Sequence, residues 1–308
     1  MDLLYALQGL RTPFLDWLML ALTYLGDEAI LIAVGAFLFW CVDKKWGYRV
    51  FGVALTALDV TILLKGVFAI PRPWVRDSRL SPVKGAAGTA EDYSFPSGHS
   101  TMAGAAYGSL CAGSRGALRW LWLLVALVVV FTRLYLGVHT PTDVTVGLAI
   151  GLAAAFGLTA LVRRCESDPA KLFRLDVAAT AFALAAAVFL TLKDDVSALD
   201  ATSLACREAV LKEAYTTLGA LLGLTVGRQL ETRSIRFDEK GTVPGQLLKL
   251  VLGIAGVMAL RVLLKPLLAL VLPGSPVAHT IRYFFIVLFV IGVWPLTFRR
   301  LSRVGAKE

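Results

Sequence analysis

Cysteine is scarce, with four residues in a chain of 308. Cys41, Cys111, Cys165 and Cys206 show neither metal-ligand nor disulfide spacing, so all four are expected to be buried or incidental. No secretory leader stands out. Leu3 to Tyr24 is apolar but lacks a basic start and a clear small-residue cleavage site, so targeting is expected to rest on the membrane segments themselves. No basic domain interleaved with aromatics exists. That sets nucleic acid aside as a partner, although the net charge is +9 and the pI about 9.5. No convincing internal repeat is found. Charge of either sign is thin at 17%, whereas 57% of residues are hydrophobic and the mean hydropathy is +0.71. A soluble globular domain cannot carry that much apolar surface.

What is present is a series of uncharged apolar runs along the whole length. The chain is therefore expected to be an all-α, polytopic transmembrane helical bundle, in a bacterial plasma membrane. Leu3 to Tyr24 is broken by Arg11, Pro13 and Asp16, and is expected to lie in the interface rather than to span. Ala29 to Val42 is the first clear run. A second runs from Tyr48 to Ile70, with Asp59 inside it, and stops at Pro71-Arg72-Pro73. Trp74 to Ser94 forms the longest polar loop of the first half, and long ordered loops often cover a site. A small-residue helix follows to Gly113, then Trp120 to Tyr135, then His139 to Val162. Four further segments are expected at Leu172 to Leu192, Ala209 to Gly227, Leu247 to Leu272 and Ile281 to Phe298.

The loops sort by charge. Lys44, Lys45 and Arg49, Arg115 and Arg119, Arg163 and Arg164, Arg228 to Arg236, and the tail after Arg299 fall on one side. By the positive-inside rule that side is cytoplasmic, which puts Arg72, His99 and His139 at the extracytoplasmic face. Glycines recur at four-residue spacing: Gly104 and Gly108, Gly147 and Gly151, and Gly219, Gly223 and Gly227. In lipid this is a helix-packing signal, and the same faces offer a route to a homo-oligomer.

Three motifs carry the chemistry. In Lys65-x6-Arg72-Pro73, a helix continuing to the proline would set Lys65 and Arg72 about two turns apart on one side. A lysine near a span end also snorkels, so that motif alone is ambiguous. Pro96-Ser97-Gly98-His99-Ser100 opens a helix, where free N–H groups and the dipole favour an anion; Ser97 or Ser100 would equally serve as a plain cap. In Arg133-x5-His139-x3-Asp143, the carboxylate four residues on would fix the tautomer of a helical histidine, and the guanidinium suits phosphate oxygens. Ionisable groups gathered at one face of three spans are functional candidates. Two histidines and an aspartate among cations do not suit a metal; they suit a phosphate held by Lys65, Arg72 and Arg133.

In order, spacing and span position these motifs resemble those of the type 2 phosphatidic acid phosphatase superfamily of integral membrane lipid phosphatases. The resemblance covers roughly Leu3 to Arg164, and departs at Thr132, where a serine is usual. It implies a catalytic core over residues 1–164 with five to six membrane segments, leaving 165–308 as an extension of about four helices. It implies that His139 attacks phosphorus to form a phosphohistidine, that Asp143 orients it, and that His99 protonates the leaving oxygen and then activates water. Lys65, Arg72, Ser97, the Gly98 amide and Arg133 would hold the phosphoryl oxygens. No metal and no cofactor are implied. The substrate would be a phosphorylated lipid of the bilayer, of the phosphatidate, phosphatidylglycerol phosphate, polyprenyl diphosphate or sphingoid phosphate kind. A transporter or flippase using the core as a binding site is the competing class, disfavoured because binding alone requires neither nucleophile nor acid. In the extension, Arg261, Lys265, His279 and Arg282 are expected near the same face. They would form a second headgroup pocket, or else snorkel or pair with Asp194, Asp195, Glu208 and Glu213.

Overall fold

The computed structural model describes residues 1–193, 197 and 199–304, without the side chains of residues 28 and 29. The expectations placed on Asp194 and Asp195 lie outside the described residues. Every regular element is helical. In chain order these are α1 (Asp2–Gly9), α2 (Pro13–Thr23), α3 (Glu28–Phe37), α4 (Lys44–Phe68), α5 (Pro73–Arg76), α6 (Gly98–Gly113), α7 (Ala117–Tyr135), α8 (Pro141–Cys165), α9 (Pro169–Leu192), α10 (Ala201–Leu230), α11 (Val243–Val271), α12 (Val277–Leu288) and α13 (Phe298–Leu301). Six stretches are long and apolar enough to cross a membrane: Lys44–Arg76, α7, α8, α9, α11 and Val277–Leu301. A seventh follows if Pro13–Gly26 and Ile30–Val42, bent by 47° between them, act as one span. The chain is thus a polytopic helical membrane protein.

Local chemistry sets the helix starts. Asp43, Thr140, Asp168, Asp200 and Thr242 each cap a following helix with a side-chain oxygen, and proline occupies the first turn of α2, α8, α9 and α11. Leu3 to Tyr24 is not one segment. Thr12 caps α2 and Pro13 opens it, so the stretch divides into α1 and α2. The 8 residues of α1 reach only about 12 Å, too short to cross a bilayer. They are tied instead to the loop after α5, where Gln8 exchanges hydrogen bonds with the Arg79 carbonyl and the Ser81 N–H at 3.1 and 3.0 Å.

The centre of the bundle is α4, which is buried on opposite faces. Val50, Val53, Ala54 and Ala57 join the core formed with α6, α7 and α8. Tyr48 and Ile62 join a second core with α9, α10 and the segment after α12. The 165–308 half is therefore packed into the same bundle. Polar contacts cross that junction. Lys44 pairs with Glu231 at 2.8 Å, and Trp40 Nε1 donates to the Val290 carbonyl at 2.9 Å. Asp59, inside α4, accepts from the Thr217 hydroxyl of α10 at 2.5 Å. Among the described residues the other Asp59 oxygen, Oδ2, has no hydrogen-bond partner.

The glycine spacing marks the two tightest helix pairs, α6 with α8 and α10 with α12. A Cβ on Gly104 would stand 2.9 Å from the Leu148 carbonyl oxygen, and one on Gly223 would stand 2.8 Å from that of Phe284. Gly223→Val is accordingly expected to force α12 away from α10, costing about 1–3 kcal/mol. A melting temperature in detergent equal to that of the unsubstituted chain would contradict this packing.

Candidate active site

Lys65, Arg72, His99 and His139 meet at one end of the bundle, lining a single cavity of about 390 Å³. They arrive there by a route different from the one the spacing suggested. The α4 helix does not continue to Pro73. It stops at Phe68, Ala69 turns left-handed at φ 46°, and Arg72 is extended. The physical reason is the pair of prolines at 71 and 73, which remove two donors and disfavour helix in the residue before each. Lys65 and Arg72 converge because both reach one acceptor in the loop that follows.

That acceptor is Asp92, which sequence reasoning missed. Lys65 Nζ lies 2.5 Å from Asp92 Oδ2, and Arg72 Nη2 pairs with Asp92 Oδ1. The backbone of the same loop adds to this. Arg72 Nε donates to the Asp92 carbonyl and Lys65 Nζ to the Tyr93 carbonyl, both at 2.8 Å. Lys65 is 2% exposed, Arg72 4% and Asp92 6%. Burial pushes the Asp92 carboxyl up, but the Lys65 ammonium and the Arg72 guanidinium outweigh it and hold the group down at about 2. The only hint in the sequence was a carboxylate in a loop next to a cationic motif, and no fixed spacing marks it.

The histidine loop is pinned over this cluster. Arg72 Nη1 donates to the Val138 carbonyl at 3.0 Å and stands 2.9 Å from His139 Nε2. The same Nη1 stands 3.4 Å from Nδ1, so it lies against the ring beside both nitrogens rather than along the Nε2 lone pair, and it does not fix the tautomer. His139 Nδ1 lies 3.6 Å from Asp143 Oδ2, near enough to orient the ring but longer than a formed hydrogen bond. The two residues do not share a helix. His139 precedes the Thr140 cap, and α8 begins at Pro141 because Thr140 is extended and Pro141 has no N–H to place. Asp143 sits at the third helical position and closes a capping box with Thr140. Its Oδ2 accepts from the Thr140 N–H at 2.7 Å and from the Ser94 hydroxyl at 2.6 Å. Ser94 is thus a second residue that spacing did not reveal.

Ser97 caps α6, its Oγ accepting from the Ser100 N–H and hydroxyl at 3.4 and 3.0 Å. Gly98 opens that helix beside Lys65, whose Cε lies 4.0 Å from where a Cβ would be. His99 follows on the first turn, with its Nε2 buried and unpaired among the described residues. Arg133 is fully buried, but its guanidinium is spent on the scaffold. It donates to the Thr23 and Thr89 hydroxyls at 3.0 Å each and to the Thr89 carbonyl at 3.1 Å, leaving Nε without a partner. It ties α2 and the covering loop to α7. Among the described residues no three His, Cys, Asp or Glu side chains are placed to hold a metal ion.

Of the four cations or histidines expected in the extension, Arg261 lines the same cavity, joined by Lys212, which the sequence had not singled out. Arg282 is buried against Tyr283 and lies 3.2 Å from His279 Nδ1, and Lys265 is exposed on α11.

Residues 46–167 match the model of the PAP2 superfamily, and residues 215–307 match that of the PAP2 superfamily phosphatase transmembrane extension. An undecaprenyl-diphosphatase of Sulfolobus acidocaldarius is 31% identical over 46% of this chain and 68% of its own. The chain belongs to the PAP2 superfamily. A probable sphingosine-1-phosphate phosphatase of Dictyostelium discoideum is 26% identical over 51% of this chain, which spans only 41% of that protein. The crystal structure of Aquifex aeolicus LpxE resembles the chain with a TM-score of 0.44 at 26% identity, over 50% of this chain and 91% of that one. The PAP2 match covers all three motifs, and the extension match covers the helices that carry Arg261.

The carboxylate held at about 2 has a consequence for acid stability. Its folded value lies below the ordinary one near 3.9, so the stability it contributes is present above about pH 4 and is lost as pH falls towards 2. The melting temperature in detergent is expected to drop across that window. In Asp92→Asn the Asp92 share of the drop is absent, and the whole curve lies lower because two buried cations lose their partner, at about 3–5 kcal/mol. An acid profile identical in the two proteins would contradict the pairing.

Proposed function

We propose that this protein is a membrane lipid phosphatase, cleaving the phosphomonoester or diphosphate of a phosphorylated lipid through a phosphohistidine on His139, at the extracytoplasmic face. The observation that carries this reading is the composition of the cavity that the two histidines line. Its polar end holds two histidines and the Lys65–Arg72 pair with Asp92, and its other walls mix apolar side chains with Lys212, Glu213 and Arg261. Leu55 and Leu58 of α4 and Met102 of α6 face Leu224 of α10 and Ile286 of α12 across it. A cationic end in a cavity that also presents apolar side chains suits a phosphorylated lipid whose chain stays out of water. Residues 1–164 then supply the chemistry, and 165–308 supply one wall of the chain's channel.

The steps follow from the lone pairs and protons available. With the ring proton on Nδ1, His139 Nε2 carries the lone pair, attacks phosphorus and forms the P–N bond as the P–O bond to the lipid breaks. His99, with a free ring nitrogen at the cavity, delivers a proton to the leaving oxygen. It then takes a proton from the water that cleaves the P–N bond. Lys65 and Arg72, with the Ser97 cap and the Gly98 amide at the start of α6, neutralise charge on the equatorial oxygens. Arg133 acts here by holding the covering loop through Thr89. The relatives named above act on sphingosine phosphate and undecaprenyl diphosphate by their names, and both chemistries suit the cavity.

The test is phosphate release by the detergent-purified chain from a panel of lipid phosphates and diphosphates, with excess chelator. Release that survives chelation and disappears in His139→Ala is expected. No release from any lipid by folded protein would reject the reading in favour of transport. A finer outcome concerns His99→Gln, which keeps the nucleophile. It should lower turnover by about 10²–10⁴-fold and trap an acid-labile phosphoenzyme on a substrate with a good leaving group. An acid-stable adduct would point to a nucleophile other than histidine.

A further inference from the structure

The Lys65–Arg72 pair, to which phosphate binding is assigned above, already holds an anion. The two oxygens of Asp92 divide between the two cations, one to Lys65 Nζ at 2.5 Å and one to Arg72 Nη2, as two oxygens of a phosphoryl group would. The site adjoins the nucleophile directly, since the same guanidinium stands 2.9 Å from His139 Nε2. Two buried cations with no counter-charge are strongly unfavourable, so some anion must sit there at every stage of the cycle. A dianionic phosphoryl group and the carboxylate cannot share the pair without close like-charge contact.

We propose that Asp92 is an internal anion that fills the phosphate site of the resting protein and has to be displaced by the incoming phosphoryl group. This inference rests on the phosphatase reading and concerns the selectivity of that site. The backbone limits the movement required. Arg72 Nε and Lys65 Nζ also bind the Asp92 and Tyr93 carbonyls, so the loop keeps hold of both cations when the side chain swings out. Its ends are fixed as well, by Ser94 N–H to the Ile70 carbonyl at 2.7 Å and Val83 N–H to the Leu136 carbonyl at 3.0 Å. Displacement is a side-chain rotation beneath a fixed loop. The consequence is selection. A tethered carboxylate competes at high effective concentration with any free anion. A lipid phosphate, held also through its chain, overcomes that competition, and inorganic phosphate does not. Return of Asp92 expels the product.

The test measures binding of inorganic phosphate to the full chain in detergent by thermal shift, alongside phosphate release from lipid. Asp92→Asn is expected to bind phosphate at least about tenfold more tightly than the unsubstituted chain, a difference of about 1.4 kcal/mol. Asp92→Glu keeps the charge and is expected to bind phosphate as weakly as the unsubstituted chain. If that chain hydrolyses lipid phosphate while Asp92→Asn binds phosphate no more tightly, the proposal fails and the phosphatase reading stands. Equal tightening in Asp92→Glu also overturns it, because charge would not be the cause. So does an Asn variant that fails to fold with phosphate present, since an added anion would then not replace the carboxylate. Hydrolysis of nothing by the unsubstituted chain would remove the phosphatase reading, whatever the phosphate binding.

Discussion

Two cations in an apolar bundle need an anion, and the active end of this protein is built around that need. Lys65 and Arg72 lie almost entirely out of solvent, where an unpaired charge is strongly unfavourable. Asp92 answers them from the loop between α5 and α6. Its neighbours fix everything else: Tyr93 offers a carbonyl to Lys65, Ser94 a hydroxyl to Asp143, and Ser97 a cap to α6. A span of six residues therefore connects the cation pair, the Asp143 carboxylate beside His139 and the helix that carries His99. The loop is tied to its neighbours through the Asp92 and Tyr93 carbonyls, the Ser94 N–H and the Ser94 hydroxyl.

The second organising feature is the double role of α4. One face packs into the catalytic half and the other into the extension, so the two family matches meet on one helix. Without α10 and α12, the cavity beside the histidines would lose an apolar wall. The extension thus shapes the cavity that holds the two histidines. Lys212 of α10 and Arg261 of α11 line the same cavity as Lys65 and Arg72.

The helical, membrane-spanning character was legible from apolar run length, because a bilayer requires about 20 apolar residues per crossing and tolerates few charges. The glycine spacing foretold the α6–α8 and α10–α12 pairs, because close helix approach in lipid requires small residues at a fixed repeat. The motifs also brought forward Lys65, Arg72, His99 and His139, which the structure gathers at one cavity, since ionisable groups near lipid are costly. Less legible were features that depend on chain direction after a helix ends. The expected helix over Lys65 to Arg72 ends early, His139 stands outside its helix, and Leu3 to Tyr24 divides in two. In each case proline or a capping threonine overrode the periodic pattern.

The sequence by itself determined the helical membrane architecture, because that follows from local periodicity and residue chemistry. The tertiary structure decided how the site's charges are balanced. Asp92 is 27 positions from Lys65 and 20 from Arg72, in a loop without period, and nothing in a linear pattern joins them. It also decided that Arg133 braces the covering loop, that Thr217 donates to Asp59, and that the extension walls the catalytic cavity. Each of these depends on which side chains meet across helices far apart in the chain. That is settled by packing all the elements at once.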